Sequence, residues 1–184
     1  PVDKWDEQCV LAIDSLSVLG TAAMHHHLAM NGALGAIRTG YDYTRDIGAA
    51  QSYIKSLIEL LYDSSIRANI VIITHLSWSK ADGTMPSEEE KKQKPAPVLL
   101  GFPNVIGKAI GPTIPRYFCD VMLAKRDELT GKRLLVTSGE PRVGLKSSNP
   151  LKAKRSYPQE NGLAEYFSDL RGASTMGAGT GSAP

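Results

Sequence analysis

The stretch VLAIDSLSVLG, residues 10–20, decides how the chain is read. Residues 9–13, CVLAI, are short, apolar and continuous, the pattern of a strand buried on both faces. The run stops on Asp14, and small hydroxyl residues follow at once. An aspartate in that place has two readings. It caps a turn or a helix, or it stands at the mouth of a sheet and holds a metal-bound nucleotide.

Working outward, residues 20–45 are rich in Gly, Ala, His and Tyr and read as a loop with a short helix. Ile47, Ile54, Leu57, Ile58 and Leu61 recur at helical spacing, which predicts an amphipathic helix over 46–64 with Asp46 in its first turn. NIVIITHL, residues 69–76, predicts a second buried strand. Strand, helix and strand in succession imply a βαβ unit with parallel strands and a right-handed crossover. Residues 77–97 are polar, charged and Pro-bounded, and read as an exposed insert. Residues 98–118 hold three Gly and three Pro among apolar residues, with a short helix expected over Val105 to Ile110. Two strands, 119–125 and 133–138, joined by a turn at Thr130-Gly131, predict an antiparallel hairpin. A last helix is expected over 161–170. One domain thus spans 1–171, and the low-complexity tail 172–184 is expected to be disordered.

The bulk numbers suit one ordinary globular domain. The chain has 184 residues, 42% hydrophobic and 22% charged, with a net charge of +2. So small a charge neither demands nor excludes nucleic acid, and any basic surface must be local. No apolar run approaches the ~18 residues of a membrane span, and no signal peptide is visible. Cys9 and Cys119 lie in apolar runs and read as buried free thiols, which suits a reducing compartment, the cytoplasm. The chain opens on Pro1 and enters its first core strand almost immediately, so we expect the later part of a longer polypeptide.

The second strand bears on Asp14. It ends Ile73-Thr74-His75, so polar residues again close an apolar run. In an open parallel sheet the ligand crevice lies at the C-terminal strand ends. Asp14, with the small Ser15 beside it, and Thr74-His75 would then face one crevice. His75 has two readings here, a cap or satisfied half-buried histidine, or a contact to a phosphate or its attacking water.

These residues carry a resemblance. VLAIDSLSVLG resembles the Walker B strand of RecA-type ATPases, and NIVIITHL resembles the next core strand, whose terminal polar residue is the sensor. GFPNVIGKAIGPTIPRYFCDVMLAKR is similar to phage-encoded RecA-like ATPases of the AAA type, some of which act in single-strand annealing and recombination. The likeness covers roughly residues 5–150. It implies a RecA-like P-loop NTPase core, an α/β fold with a mostly parallel sheet, helices on both faces and a C-terminal antiparallel hairpin. It implies ATP and Mg²⁺ as cofactors, with Asp14 the metal-associated aspartate, Ser15 and Thr74 beside the nucleotide, and His75 the sensor. It also implies a homo-oligomer, ring or filament, acting on single-stranded DNA in recombination, annealing or replication, without a membrane, in the cytoplasm of a bacterial host if phage-encoded. The loops after the two strands would touch DNA, with Trp78 stacking on a base and Lys80, Lys91, Lys92 and Lys94 meeting phosphates. SEEEKKQK reads equally as a solvated face. Arg142 and Lys146, in EPRVGLKSSNP, match the basic finger that such subunits place on a neighbour's nucleotide. Ordinary surface charge explains the same two residues.

One departure stands out. The family's G-x-x-x-x-G-K-[ST] loop is missing, since GKAIGPT and GAGTGSAP lack the motif. The family's catalytic glutamate also has no counterpart. Either the chain is part of a full ATPase, or it is a non-catalytic RecA-like module that binds a partner or assembles structurally. Other chemistries find no footing. His25, His26 and His27 are adjacent and share no helix face. Cys9 and Cys119 lack the companions of a zinc site, and Ser15 and Ser17 lie in no G-x-S-x-G elbow.

Overall fold

The computed structural model describes residues 5–7, 9–37, 40–81, 84–92, 95 and 97–172. The chain divides after Phe118 into two units. The tail expectation for 173–184 and the phosphate contact expected of Lys94 lie outside the described residues.

In the first unit, β1 (Val10–Asp14) pairs in parallel with β2 (Asn69–Ile73), Asp14 opposite Ile73. Between them run α1 (Leu16–Met30) and α2 (Gly40–Leu61). Ser15 starts α1 as its N-cap, its hydroxyl accepting from the Val18 N–H at 3.4 Å. The helix buries Leu16, Gly20 and Met24, one residue per turn along a single stripe. Gly20 is required by close approach, because a Cβ there would stand 2.9 Å from the Ile106 nitrogen. The longer α2 buries Asp46, Ala50, Ile54 and Ile58 at successive i+4 positions. Leu16, Ile54, Ile58, Val105 and Ile114 form the core, with Ile72 packed against it. Asp46 is thus in the seventh position of α2, not its first turn. It is 1% exposed and faces His27 Nε2 of α1 at 3.2 Å.

After β2 the chain changes sheet. β3 (Leu76–Ser79) pairs antiparallel with β4 (Leu100–Pro103), and α3 (Glu88–Lys92) lies in the connection. A 3₁₀ helix, Gly111–Tyr117, closes the unit. The second unit holds an antiparallel sheet in the order β5 (Leu123–Arg126), β6 (Arg133–Val136), β7 (Ser156–Pro158), with α4 (Gly162–Arg171) after it.

This architecture corrects the expected fold. Among the described residues there is no mostly parallel RecA-like sheet: the strands form one parallel pair and two small antiparallel sheets. The reason lies in the connections. A parallel neighbour needs a crossover of a dozen residues or more, usually helical, and the β1-to-β2 connection carries one in α1 and α2. β2 and β3 are separated by Thr74-His75 alone, and β5 and β6 by a short turn. Nor are both sheet faces covered by helices. Leu11, Ile13, Ile70 and Ile72 are half-buried, whereas Val10, Ala12, Asp14 and Ile73 are exposed. The apolar run at residues 9–13 is therefore buried on one face only.

Smaller expectations shift too. Residues 20–45 begin inside α1 rather than as a loop, residues 77–79 belong to β3, and the 3₁₀ helix begins at Gly111 rather than Val105. Both cysteines are free, but Cys119 is exposed and Cys9 half-buried. The expected hairpin and last helix are present as β5–β6 and α4, with β7 as an added strand. No helix among the described residues is long and apolar enough to cross a membrane.

Candidate functional site

The parallel pairing carries both strand-end motifs to one end of the first sheet. Asp14 closes β1, and Thr74 and His75 follow Ile73, its partner on β2. A small hydrogen-bond net fixes the second motif. Ser17, on the first turn of α1, donates to the Asn104 carbonyl at 2.6 Å. The His75 N–H donates to the Ser17 hydroxyl at 3.2 Å, and Ser17 and Thr74 hydroxyls stand 3.3 Å apart. The Asn104 N–H donates to the His75 carbonyl at 2.7 Å, and the Thr74 hydroxyl reaches the Asn104 carbonyl at 3.2 Å. The backbone at 74–75 is thereby tied to the start of α1 and to the segment after β4.

The side chains beside this net remain available. Asp14 and His75 are exposed, and among the described residues neither side chain has a hydrogen-bond or ion-pair partner. Ser15, by contrast, is 6% exposed and occupied as the helix cap. The cap reading of the strand-end position thus belongs to Ser15, and Asp14 is free of it.

Asp14 is a lone carboxylate in this place. Among the described residues no three His, Cys, Asp or Glu side chains group as metal ligands. A structural cage of the zinc or calcium kind therefore has no support there. Mg²⁺ is less demanding, since it is commonly held by one or two carboxylates together with water and substrate phosphates. An exposed, unpaired Asp14 at a strand end fits that mode.

The residues expected to meet DNA are differently placed. Trp78 lies on β3 with 40% exposure. Lys80 is held by Glu90 at 3.1 Å and Lys91 by Glu88 at 2.5 Å. Glu90 also accepts from the Ser87 N–H while the Ser87 hydroxyl accepts from the Glu90 N–H, a capping box that orients the acid toward Lys80. These contacts draw the Glu90 carboxyl below the usual carboxylate range, the Ser87 backbone bond first and Lys80 next. Lys92 is exposed. Lys80 and Lys91 are thus engaged in local ion pairs.

Arg142 and Lys146 belong to the second unit and are both exposed. The Lys146 backbone bridges to Val121 through two hydrogen bonds of 2.8 and 3.2 Å. Near them the polar groups are consumed by folding. Tyr166 is fully buried, and its hydroxyl donates to Asp120 and accepts from Ser147 at 2.7 Å. Asp120 also accepts from the Ser148 N–H at 2.6 Å. Burial, then the Asp120 carboxylate, pushes the Tyr166 phenol up to about 12. Tyr157, packed edge-to-face on Tyr166 at 5.6 Å, donates to Asp169 at 3.0 Å and accepts from the Lys154 N–H at 2.8 Å.

Asn104 escaped the sequence reading, and Ser17 was weighed there only as a nucleophile. Ser17 carried a weak signal, the second hydroxyl after the strand-end aspartate. Asn104 carried none, because it acts through its backbone. Comparison with known proteins gives no match among family models, curated proteins or solved structures.

Proposed function

We propose that the first unit supplies the metal-and-sensor half of an Mg²⁺–nucleotide site, and that the protein takes part in ATP hydrolysis coupled to single-stranded DNA. The observation carrying this is the in-register parallel pair, which brings an unpartnered Asp14 and Thr74-His75 to the same end of the two strands. The resemblance of VLAID and NIVIITHL to the corresponding RecA-type strands supports the same assignment. Asp14 would hold Mg²⁺, which neutralises phosphate charge when bound. Ser17 and Asn104 position the backbone at Thr74-His75, and the exposed His75 imidazole stands where it can hydrogen-bond a terminal phosphate or its water. The phosphate cradle has to come from residues other than those of this sequence, which has no G-x-x-x-x-G-K-[ST]. Trp78 and Lys92 are the exposed candidates for stacking on a base and meeting a phosphate.

The test is ATP turnover by the protein as its source makes it, with and without single-stranded DNA. Asp14→Asn is expected to lower Mg²⁺-dependent turnover by about 100-fold or more with an unchanged circular dichroism spectrum. Unchanged turnover would remove Asp14 from the site. A second reading, a non-catalytic module that binds a partner, is favoured by the missing phosphate loop. Absence of any Mg²⁺-dependent turnover in the wild-type protein decides for it.

A further inference from the structure

The first unit also carries a cleft that the strand-end site does not use. It has a volume of about 270 Å³ and lies between β3, β4 and the glycine-containing segment 104–112. Ser77 and Ser79 line it from β3, Phe102 from β4, Asn104 and Lys108 from the segment after β4, and Met85 from the loop before α3. Ser79 is 6% exposed, yet its hydroxyl has no hydrogen-bond partner among the described residues. Among the described residues no fully enclosed side-chain oxygen or nitrogen lacks a partner, so the Ser79 hydroxyl keeps some solvent contact, and Ser79 lines the cleft. A hydroxyl that no described residue bonds and that water can reach is open to an occupant that bonds it.

The remaining lining says what the occupant is. Lys108 is exposed and has no acidic partner among the described residues, so its charge is available. The loop carrying it is shaped in advance. Gly107 has φ 68°, and a Cβ there would lie 2.2 Å from Gln51 Nε2 of α2. That same nitrogen donates to the Ile106 carbonyl at 3.0 Å. Phe102 and Met85 add apolar surface to the lining. A cleft below the usual ~300–1,000 Å³ of drug-sized sites takes a small molecule.

We propose that this cleft binds a small organic oxyanion with an apolar body, a carboxylate or a phosphate monoester. Lys108 holds the anion, Ser79 and Ser77 bond its oxygens, and Phe102 and Met85 cover the body. Neither Asp14 nor His75 lines the cleft, although Asn104, whose backbone belongs to the strand-end net, does.

The test is a two-dimensional amide NMR titration of the whole chain with phenyl phosphate, benzoate and neutral benzyl alcohol. At least one of the two anions is expected to give saturable shifts at Ser79, Asn104 and Lys108, with benzyl alcohol giving none. Tighter binding by phenyl phosphate assigns the site to phosphate monoesters, and tighter binding by benzoate assigns it to carboxylates. Lys108→Met is expected to weaken the better anion about tenfold. Ser79→Ala is expected to weaken it about threefold or more while the unfolding midpoint stays unchanged, as befits a hydroxyl with no structural bond. No saturable shift up to about 20 mM of either anion overturns the proposal. So does equal binding of benzyl alcohol, or an affinity indifferent to Lys108→Met.

Discussion

The strand ends of the first unit and the tyrosine pair of the second hold their polar side chains in opposite ways. In the second, Tyr166 and Tyr157 are buried with their hydroxyls bonded on both sides, to Asp120 and Ser147 and to Asp169 and the Lys154 N–H. In the first, Asp14 and His75 stand exposed at strand ends while a hydroxyl and backbone net holds the chain beneath them. Buried polar groups are costly unless satisfied, so a closed network reports a structural role. Polar groups held in place but left without partners are available to something else. The contrast is the reason the proposed site is sought at the strand ends and not at the buried tyrosines, although Tyr166 has a strongly raised phenol.

Three expectations break or sharpen that contrast. The largest effect belongs to Tyr166→Phe, which leaves Asp120 and Ser147 short of a partner inside a packed site. It should destabilise the second unit by about 1–3 kcal/mol, read from amide hydrogen exchange of β5–β7 and α4. Exchange unchanged in that unit would mean the network is incidental.

Next is the alkaline limb. Burial and Asp120 raise the folded-state phenol of Tyr166 to about 12, against about 10 in the unfolded chain. A raised group stabilises fully below its unfolded value and loses that contribution as pH climbs toward the folded one. The second unit should therefore hold its stability up to about pH 10 and lose it between about 10 and 12. Tyr166→Phe should flatten this limb. Ultraviolet titration of the tyrosines against pH, in parallel with unfolding, checks both statements.

The smallest effect is at the proposed site. Asp14→Asn and His75→Ala remove exposed side chains that bond to no described residue, so each should change stability by less than about 0.5 kcal/mol in urea unfolding. A loss several times larger in either variant would show that the residue serves the fold.

How much of this was legible in the sequence follows from what each element offers as a pattern. α2 was visible through apolar spacing, and β1 and β2 through apolar runs that stop on polar residues. α1 was hidden because its buried stripe is Leu16, Gly20 and Met24, and the glycine, needed for contact with residue 106, carries no hydrophobic signal. β3 and β4 were hidden for another reason. They are four residues each, twenty residues apart, and β4 contains Gly101 and Pro103, which argue locally against a strand. The sheet was overread because a continuous apolar run suggests two covered faces, whereas Val10, Ala12 and Ile73 remain exposed. At the site, Asp14 and His75 were legible because strand ends are marked by composition. Their support was not, because Asn104 contributes backbone atoms and Ser17 acts across 57 and 87 residues of sequence.

The measurement closest to the central claim is equilibrium binding of ATP to the source protein, with and without Mg²⁺, in wild type and Asp14→Asn. If Asp14 holds the ion beside the phosphates, Mg²⁺ should strengthen binding in the wild type, and Asp14→Asn should abolish that strengthening while metal-free binding becomes no weaker, since a like charge beside the phosphates is removed. An equal response to Mg²⁺ in both proteins would contradict it.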